Sequence, residues 1–278
     1  MPELQEVEAV RTSLEQAIPS GTIIQKVVLH RKDLPFLFPK NYRLLCKATH
    51  SIFSSKSQVF VMGPRRTYLD QSLRHDRHLA IGTRQQTFSC MIMLTSPLSV
   101  QDILFRDPRR FGYMDIAARR QEEKNIYIQH LGPEPLSHQF TGDYLWQLTE
   151  KRTAPIKNVI MDQRIVVGVG NIYACEALYL TGIRPTMGAH KLNKVGAKNL
   201  VKHIQNILVR AIKAGGSTIS DFKQAQEQSG YFQMQFHVYG KKDLPCATCG
   251  TKIKNKTLAG RSSFYCEMSK IRYAHASK

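Results

Sequence analysis

The sequence is short of acidic residues. Its 278 residues include 21 Asp or Glu against 40 Lys or Arg, which leaves a formal net charge of +19. A surplus of this size favours a polyanionic partner such as nucleic acid. The basic residues are scattered along the chain rather than gathered in one tail, so we expect a folded basic surface and not a disordered arm. A basic protein without such a partner is the alternative that composition leaves open.

Long apolar runs are also missing. No run of about 18 apolar residues occurs, so we expect no membrane span and no membrane partner. Glu3, Glu6 and Glu8 lie where the apolar part of a secretory signal would be, which predicts a cytoplasmic protein. The sequence also lacks internal repeats, a phosphate-binding glycine loop and the nucleophile elbow of hydrolases. A small-molecule enzyme therefore has no support.

The six cysteines form two groups. Cys46, Cys90 and Cys175 are isolated and are expected to be reduced core residues. The other three lie in CATCG (246–250) and FYCEMS (264–269), which resemble the paired turns of a zinc ribbon. Serine is a poor zinc ligand, and it stands at the fourth position. The site is therefore a three-cysteine site, a module folded without metal, or a site completed by another residue. The residues concerned are Cys246, Cys249, Cys266, Ser269 and His275.

The order of patterns along the chain predicts an α+β protein of three parts. Apolar residues at helical spacing predict a helix over 4–18, and short β-like runs follow it up to about residue 131. LGPEPLS (131–137) is a connector, after which 132–237 is expected to be helical, with one helix ended by Gly182. Residues 238–278 are expected to form a small β-rich module that carries the paired cysteines.

Three short stretches suggest chemistry. Pro2 and Glu3 could provide an N-terminal amine nucleophile beside an acid, or could be an accident of the start site. Asn171 follows Gly170 at a predicted helix start, where free N–H groups can hold a phosphate, although a simple turn and cap is also possible. In RDPRRFGYM, Arg109 and Phe111 could enter a DNA duplex, whereas a basic turn with a core Phe is the alternative.

Taken together, these motifs resemble the formamidopyrimidine-DNA glycosylase family over nearly the whole chain. The sequence carries, in the family's order, MPELQEVEAV, DPRRFG, LGPEPL, VGVGNIYACEAL, AGGSTISDF, GYFQ, HVYGK and CATCG followed by AGRSSFYC. A Pro-Glu-Leu start is closer to this branch than to the related endonuclease VIII enzymes. The resemblance implies an N-terminal β-sandwich domain with a long first helix (1–131), a helix–two-turn–helix domain (132–237) and a zinc-ribbon hairpin (238–278).

The resemblance also implies an activity, namely excision of oxidised purines from DNA followed by cleavage of the strand. Pro2 would be the nucleophile and Glu3 the general acid, with help from Lys56. Asn171 and Arg261 would bind phosphates around the extruded nucleotide, and Arg261 would also act as an acid in the last elimination. The resemblance also implies contacts between DNA and four further residues, which are Arg109, Phe111, Arg152 and Leu73. The lesion would be gripped by a loop near 217–232.

Four motifs depart from the family pattern. Lys56 lacks its usual basic and tyrosine neighbours, and Leu73 stands where the family has a wedge methionine. TFSC (87–90) replaces a histidine-containing motif, and Ser269 replaces the last cysteine. Because Pro2 and its partners survive, we expect an active enzyme that acts as a monomer on damaged double-stranded DNA and carries one structural Zn²⁺. The alternatives are a non-catalytic DNA-binding protein of the same fold and an RNA-binding zinc-ribbon protein.

Overall fold

The computed structural model describes residues 129–214 and 236–268 fully, the backbone of eight strands between residues 23 and 116, and Leu4, Glu8 and Thr12. The chain divides into two compact units. The first comprises 1–129 with 214–231, and the second comprises 130–213 with 232–278. In the described part of the chain, no helix has both the length and the apolar character needed to cross a membrane.

The first unit contains two four-stranded antiparallel sheets. One sheet has the strand order β1-β6-β7-β5 and the other the order β2-β3-β4-β8. The strands are β1 (Ile23–Leu29), β2 (Ser54–Lys56), β3 (Val59–Met62), β4 (Thr67–Asp70), β5 (His78–Ile81), β6 (Cys90–Thr95), β7 (Val100–Arg106) and β8 (Tyr113–Ile116). The β-rich character predicted for this part of the chain is confirmed. The helical state of Leu4, Glu8 and Thr12 agrees with the predicted first helix.

The second unit is built from four helices and one hairpin among its described residues. The helices are α1 (Gly142–Thr149), α2 (Ile156–Ile160), α3 (Asn171–Thr181) and α4 (Lys194–Lys213), with a 3₁₀ turn at Ala189–Lys191. Strands β9 (Lys254–Leu258) and β10 (Arg261–Tyr265) pair antiparallel. The mixed helix and strand content of the α+β prediction is confirmed.

Helix α3 is the central element of this unit. It begins directly after Gly170 and ends at Gly182, whose φ of 74° gives the left-handed C-cap that glycine adopts without strain. The predicted end of this helix is therefore confirmed. Most of its side chains are buried, because α3 packs against α2, α4 and β10.

Helix α4 is amphipathic. Its buried face is formed by Gly196, Ala197, Leu200, Val201, Ile204, Ile207, Leu208 and Ala211. These residues recur every three or four positions, which places them on one side of an α-helix. That side packs against α1 and α3 and leaves the lysines of α4 in solvent.

A small second core joins the hairpin to α3. It contains Cys175 from α3, with Val238, Cys246, Ile253 and Cys266. The predicted core position of Cys175 is confirmed, since that side chain is buried. Cys46 and the side chain of Cys90 lie outside the described residues.

Candidate functional site: a helix–hairpin junction beside a thiol cluster

A buried lysine joins the start of α3 to the hairpin. The side chain of Lys157 in α2 is 1% exposed. Its ammonium group donates to Asn171 Oδ1 at 2.5 Å, to Ser263 Oγ at 2.7 Å and to the Ser262 carbonyl at 3.0 Å. These three acceptors match the three N–H donors of a lysine, which is the condition for burying such a charge. We call the set Lys157, Asn171, Tyr239, Ser262 and Ser263 the helix–hairpin junction.

Asn171 is held from both sides within this junction. Its Oδ1 accepts from Lys157, while its Nδ2 donates to the Ser262 carbonyl at 3.0 Å and to the Tyr239 hydroxyl at 3.4 Å. The residue remains partly exposed at the first turn of α3, and its N-cap, Gly170, offers no side-chain acceptor to that turn. The amide is thus fixed beside the N–H groups that begin the helix.

Arg261 follows the tight turn of the hairpin. The turn residues Ala259 and Gly260 both have positive φ, 47° and 72°, which is the pattern of a two-residue type I′ turn. Arg261 is exposed and begins β10, next to Ser262, whose carbonyl binds both Lys157 and Asn171. The backbone of Arg261 is therefore fixed relative to Asn171 although the two are 90 positions apart in the sequence.

Glu176 holds residues 237–239, the loop before the hairpin, against α3. Its carboxylate accepts from the backbone N–H groups of His237, Val238 and Tyr239 at 2.8–2.9 Å, and it lies 3.0 Å from His237 Nδ1. Burial raises the pKa of the Glu176 carboxyl, but the hydrogen bonds from the His237 ring and from the three N–H groups outweigh it. The pKa therefore lies below its ordinary value.

Three cysteines converge beside the second core. The sulfur atoms of Cys246, Cys249 and Cys266 all lie within 4.8 Å of one another, with Cys249 and Cys266 at 3.4 Å. Sulfurs bound to one tetrahedral zinc are separated by about 3.8 Å, because each Zn–S bond is about 2.3 Å long. The three sulfurs therefore fit one such ion. We call them the thiol cluster.

The local environment separates the thiols by charge. Burial raises the pKa of Cys246, but hydrogen bonds from Tyr179 and from the N–H groups of Thr248 and Cys249 outweigh it, and the pKa is lowered to about 6. At Cys266, burial and the hydrogen bond with Cys249 raise the pKa to about 11. Of these two cysteines, Cys246 is the one that is a thiolate at neutral pH. The thiolate is the form of cysteine that binds metals.

Tyr179 brings α3 to the thiol cluster. Its hydroxyl lies 3.2 Å from Cys246 Sγ and 2.8 Å from Thr248 Oγ1. The ring stacks on His237 with centroids 5.5 Å apart and an interplanar angle of 29°. Residues at the start, middle and end of one helix thus contact the helix–hairpin junction, the loop before the hairpin and the thiol cluster.

The structure describes part of the predicted site. Arg152 is exposed, and its Nε donates to the Leu148 carbonyl at 2.9 Å, which holds the side chain against the end of α1. Lys56 ends β2 opposite Val59, and only its backbone is described. The other predicted site residues lie outside the described residues; they are Pro2, Glu3, Leu73, Arg109, Phe111, Ser269 and His275.

Several residues of this site were not predicted from the sequence. Lys157 is the one charged residue of α2 and Glu176 the one charged residue of α3, so each was visible in the sequence as an isolated charge. No comparable signal marked Tyr179 or Tyr239. Their roles depend on contacts with residues more than 60 positions away.

Comparison with known proteins confirms the family resemblance that the sequence motifs indicated. Residues 131–223 match the model of the formamidopyrimidine-DNA glycosylase H2TH domain. The formamidopyrimidine-DNA glycosylase of Bdellovibrio bacteriovorus is 41% identical over 270 residues, which covers 96% of this chain and 98% of that protein. The Pasteurella multocida enzyme of the same name is 34% identical over 267 residues, with 96% and 98% coverage.

Solved structures show the same relationship. The MutM (Fpg) protein of Thermus thermophilus superposes with a TM-score of 0.82 at 27% identity and covers 97% of this chain and 98% of its own. Lactococcus lactis Fpg in complex with abasic-site DNA gives a TM-score of 0.83 at 25% identity, with 97% and 100% coverage. With these matches over nearly its full length, the chain belongs to the formamidopyrimidine-DNA glycosylase family.

Proposed function

We propose that this protein is a bifunctional DNA glycosylase and AP lyase that removes oxidised purines, 8-oxoguanine and formamidopyrimidines, during base-excision repair. The observation that carries the proposal is the helix–hairpin junction, which holds Asn171 and the backbone of Arg261 around one buried ammonium group. Asn171 and Arg261 are the proposed phosphate contacts, and their connection through Ser262 supports the proposal although they lie far apart in the sequence. The names of the full-length relatives supply the substrate class.

The proposed chemistry begins at the N-terminus. The amine of Pro2 attacks C1′ of the damaged nucleotide, the bond from C1′ to the base breaks, and the base leaves with the electron pair and takes up the proton that the Pro2 nitrogen loses. Glu3 protonates the ring oxygen of the sugar, which opens the ring and leaves a Schiff base between Pro2 and C1′. An α-amine suits this role because its pKa lies well below that of lysine, so more of it is unprotonated near neutral pH.

Strand cleavage follows from the Schiff base. The iminium group acidifies C2′, loss of that proton expels the 3′ phosphate, and a second elimination expels the 5′ phosphate. We assign Lys56 to assist these proton transfers and Arg261 to act as the acid of the second elimination. Both assignments come from the family resemblance, as do the three-part division at 131 and 237 and the β-sandwich form of the first part.

Contacts to the duplex are assigned in the same way. Arg109 and Phe111 enter the gap left by the extruded nucleotide, and Leu73 takes the wedge position. Arg152 binds backbone phosphate, and the loop near 217–232 grips the lesion. The partner is damaged double-stranded DNA, bound by one copy of the protein.

Zinc is the proposed cofactor. Cys246, Cys249 and Cys266 would hold it, with Ser269 or His275 as the fourth ligand. Zinc bound here would hold the two turns of the ribbon together and take no part in the reaction. Because serine is the poorer ligand, Ser269→Cys should increase zinc content and DNA affinity. Unchanged values of both in the purified variant would show that Ser269 does not limit the site.

Borohydride trapping tests the activity. Purified protein is mixed with a duplex that carries 8-oxoguanine opposite cytosine, and borohydride reduces any Schiff base to a stable covalent bond. We expect a lesion-dependent protein–DNA band that is absent from Pro2→Gly and from a version that retains Met1. Binding of the duplex without any band would favour the non-catalytic DNA-binding alternative. The full-length family match argues against the RNA-binding alternative.

A further inference from the structure

The Tyr179 hydroxyl lies between a cysteine sulfur and a threonine hydroxyl. The distances are 3.2 Å to Cys246 Sγ and 2.8 Å to Thr248 Oγ1. A phenol has one proton to donate, and a threonine hydroxyl can both donate and accept. Donation from Thr248 to the tyrosine oxygen leaves the phenol proton for the sulfur. The geometry is therefore that of a short hydrogen-bond chain that ends on Cys246.

The hydroxyl is separable from the packing role of the ring. The Tyr179 ring stacks on His237 and packs against the small core that contains Cys175 and Val238. A phenylalanine ring could make the same apolar contacts. The hydroxyl adds only the two polar contacts to Cys246 and Thr248, so any effect of removing it reports on those contacts.

A three-thiolate site gains from such a donor. Three thiolates around Zn²⁺ carry a net charge of −1, and a hydrogen bond to one sulfur disperses part of that charge. Groups that hydrogen-bond metal ligands also fix the orientation of those ligands, and losing such a group commonly costs 10- to 100-fold in metal affinity. This chain has serine where the ribbon pattern has a fourth cysteine. A hydrogen bond to one of its sulfurs should therefore raise its metal affinity more than in a four-cysteine site.

We propose that Tyr179 is a positioning residue of the metal centre, whose hydroxyl holds the Cys246 sulfur in place for zinc and so offsets part of the missing fourth thiolate. The inference rests on the proposed zinc site. It does not depend on the glycosylase activity. It assigns to α3 a direct part in metal retention, in addition to its contacts with the hairpin.

Metal affinity of the full-length protein tests the inference. Zinc dissociation constants would be measured by competition with a chelator of known affinity for wild type, Tyr179→Phe and Thr248→Val. We expect Tyr179→Phe to bind zinc about tenfold more weakly. Thr248→Val should have a smaller effect, because Tyr179 can still donate to the sulfur. Tyr144→Phe is the matched control, since its hydroxyl donates to the Ile165 carbonyl, away from the thiol cluster.

Cobalt substitution gives a second readout that a packing role would not change. Loss of a hydrogen bond to a thiolate should move the sulfur-to-cobalt charge-transfer band to lower energy in Tyr179→Phe and leave it unchanged in Tyr144→Phe. Equal zinc affinity and an unshifted band in Tyr179→Phe would overturn the inference while the zinc site stands. A wild-type protein that binds neither metal would overturn the zinc site, and this inference with it. Either result is independent of the borohydride trap.

Discussion

At the scale of single residues, the site depends on two buried charges that are fully hydrogen-bonded. Lys157 donates to three acceptors. Glu176 accepts from three backbone N–H groups and lies within hydrogen-bond distance of the His237 imidazole. Such groups are costly to disturb, because their partners are left buried without hydrogen bonds. Lys157 also holds the hairpin against α2, and Glu176 holds the loop before the hairpin against α3.

Replacing Lys157 should loosen the junction. Lys157→Met keeps the length of the side chain and leaves Asn171 Oδ1 and the Ser262 carbonyl without their ammonium donor. We expect a loss of about 2–3 kcal/mol in the free energy of unfolding, measured with urea. Lys151→Met, at an exposed lysine of the same unit, is the control and should change little. Equal unfolding curves for the two variants would contradict a structural role for Lys157.

Glu176 should make stability depend on pH in the acidic range. Its pKa in the folded protein lies below the ordinary value of 4.5, so its carboxylate stabilises the fold above that pH. This contribution is lost as pH falls below 4.5 through the folded pKa. Glu176→Gln should be less stable than wild type by roughly 2–3 kcal/mol at neutral pH, because its NH₂ group faces N–H donors.

The test is urea unfolding of both proteins between pH 3 and pH 7. The difference between wild type and Glu176→Gln should shrink as pH falls below about 4.5. A difference that stays constant over this range would mean that the ionisation of Glu176 does not stabilise the fold.

At the scale of elements, the β9–β10 turn fixes where Arg261 begins its strand. Gly260 has φ 72°, and a Cβ added there would meet nothing within 4 Å. The cost of Gly260→Ala is therefore backbone strain alone, about 1 kcal/mol of unfolding free energy. Ala259→Gly removes an alanine from a positive φ and should not destabilise the protein. Thermal unfolding of both variants checks the expected order, which a more stable Gly260→Ala would reverse.

Local patterns were enough to predict many of these elements. The Gly-Asn start and Gly182 predicted the ends of α3, and the short β-like runs before residue 131 predicted the β-rich first part of the chain. The three clustered cysteines were visible from their spacing. These signals succeed because capping, amphipathicity and tight turns are set within a few residues.

The contacts that unite the site could not be predicted in this way. Lys157 meets Ser262 across 105 positions, and Tyr179 meets Cys246 across 67. Both contacts follow from how the hairpin packs on α3, and neither residue stands in a pattern that identifies its partner. Strands β2, β4, β5 and β8 are only three or four residues long, and none of them is apolar throughout as the equally short β3 is, so they give no clear strand signal.

At the scale of the whole molecule, the main feature is a large positive net charge. The chain carries +19, and residues 177–220 contain no Asp or Glu but seven basic residues. These are Arg184, Lys191, Lys194, Lys198, Lys202, Arg210 and Lys213. Each phosphate that such groups neutralise releases counterions from DNA, so electrostatic binding weakens as salt increases.

Binding to undamaged duplex should therefore be steeply dependent on salt. If six to ten phosphates are contacted, affinity should fall by roughly 10³- to 10⁵-fold between about 50 and 200 mM salt. Fluorescence anisotropy with a labelled duplex without a lesion measures this dependence. An affinity that does not change with salt would argue against the polyanion interpretation of the charge.

The contact between Glu176 and the loop before the hairpin also has a consequence for how the protein opens. His237, Val238 and Tyr239 belong to no helix or strand, and amides in such loops usually exchange with solvent within moments. Here their N–H groups are bonded to a buried carboxylate on α3. In deuterium exchange these three amides should be as slow as the core of α3, and in Glu176→Gln they should become fast. Slow exchange in the wild-type protein would mean that the loop and the helix open together as one cooperative segment. The boundary of that segment is set by the Glu176 side chain and not by secondary structure.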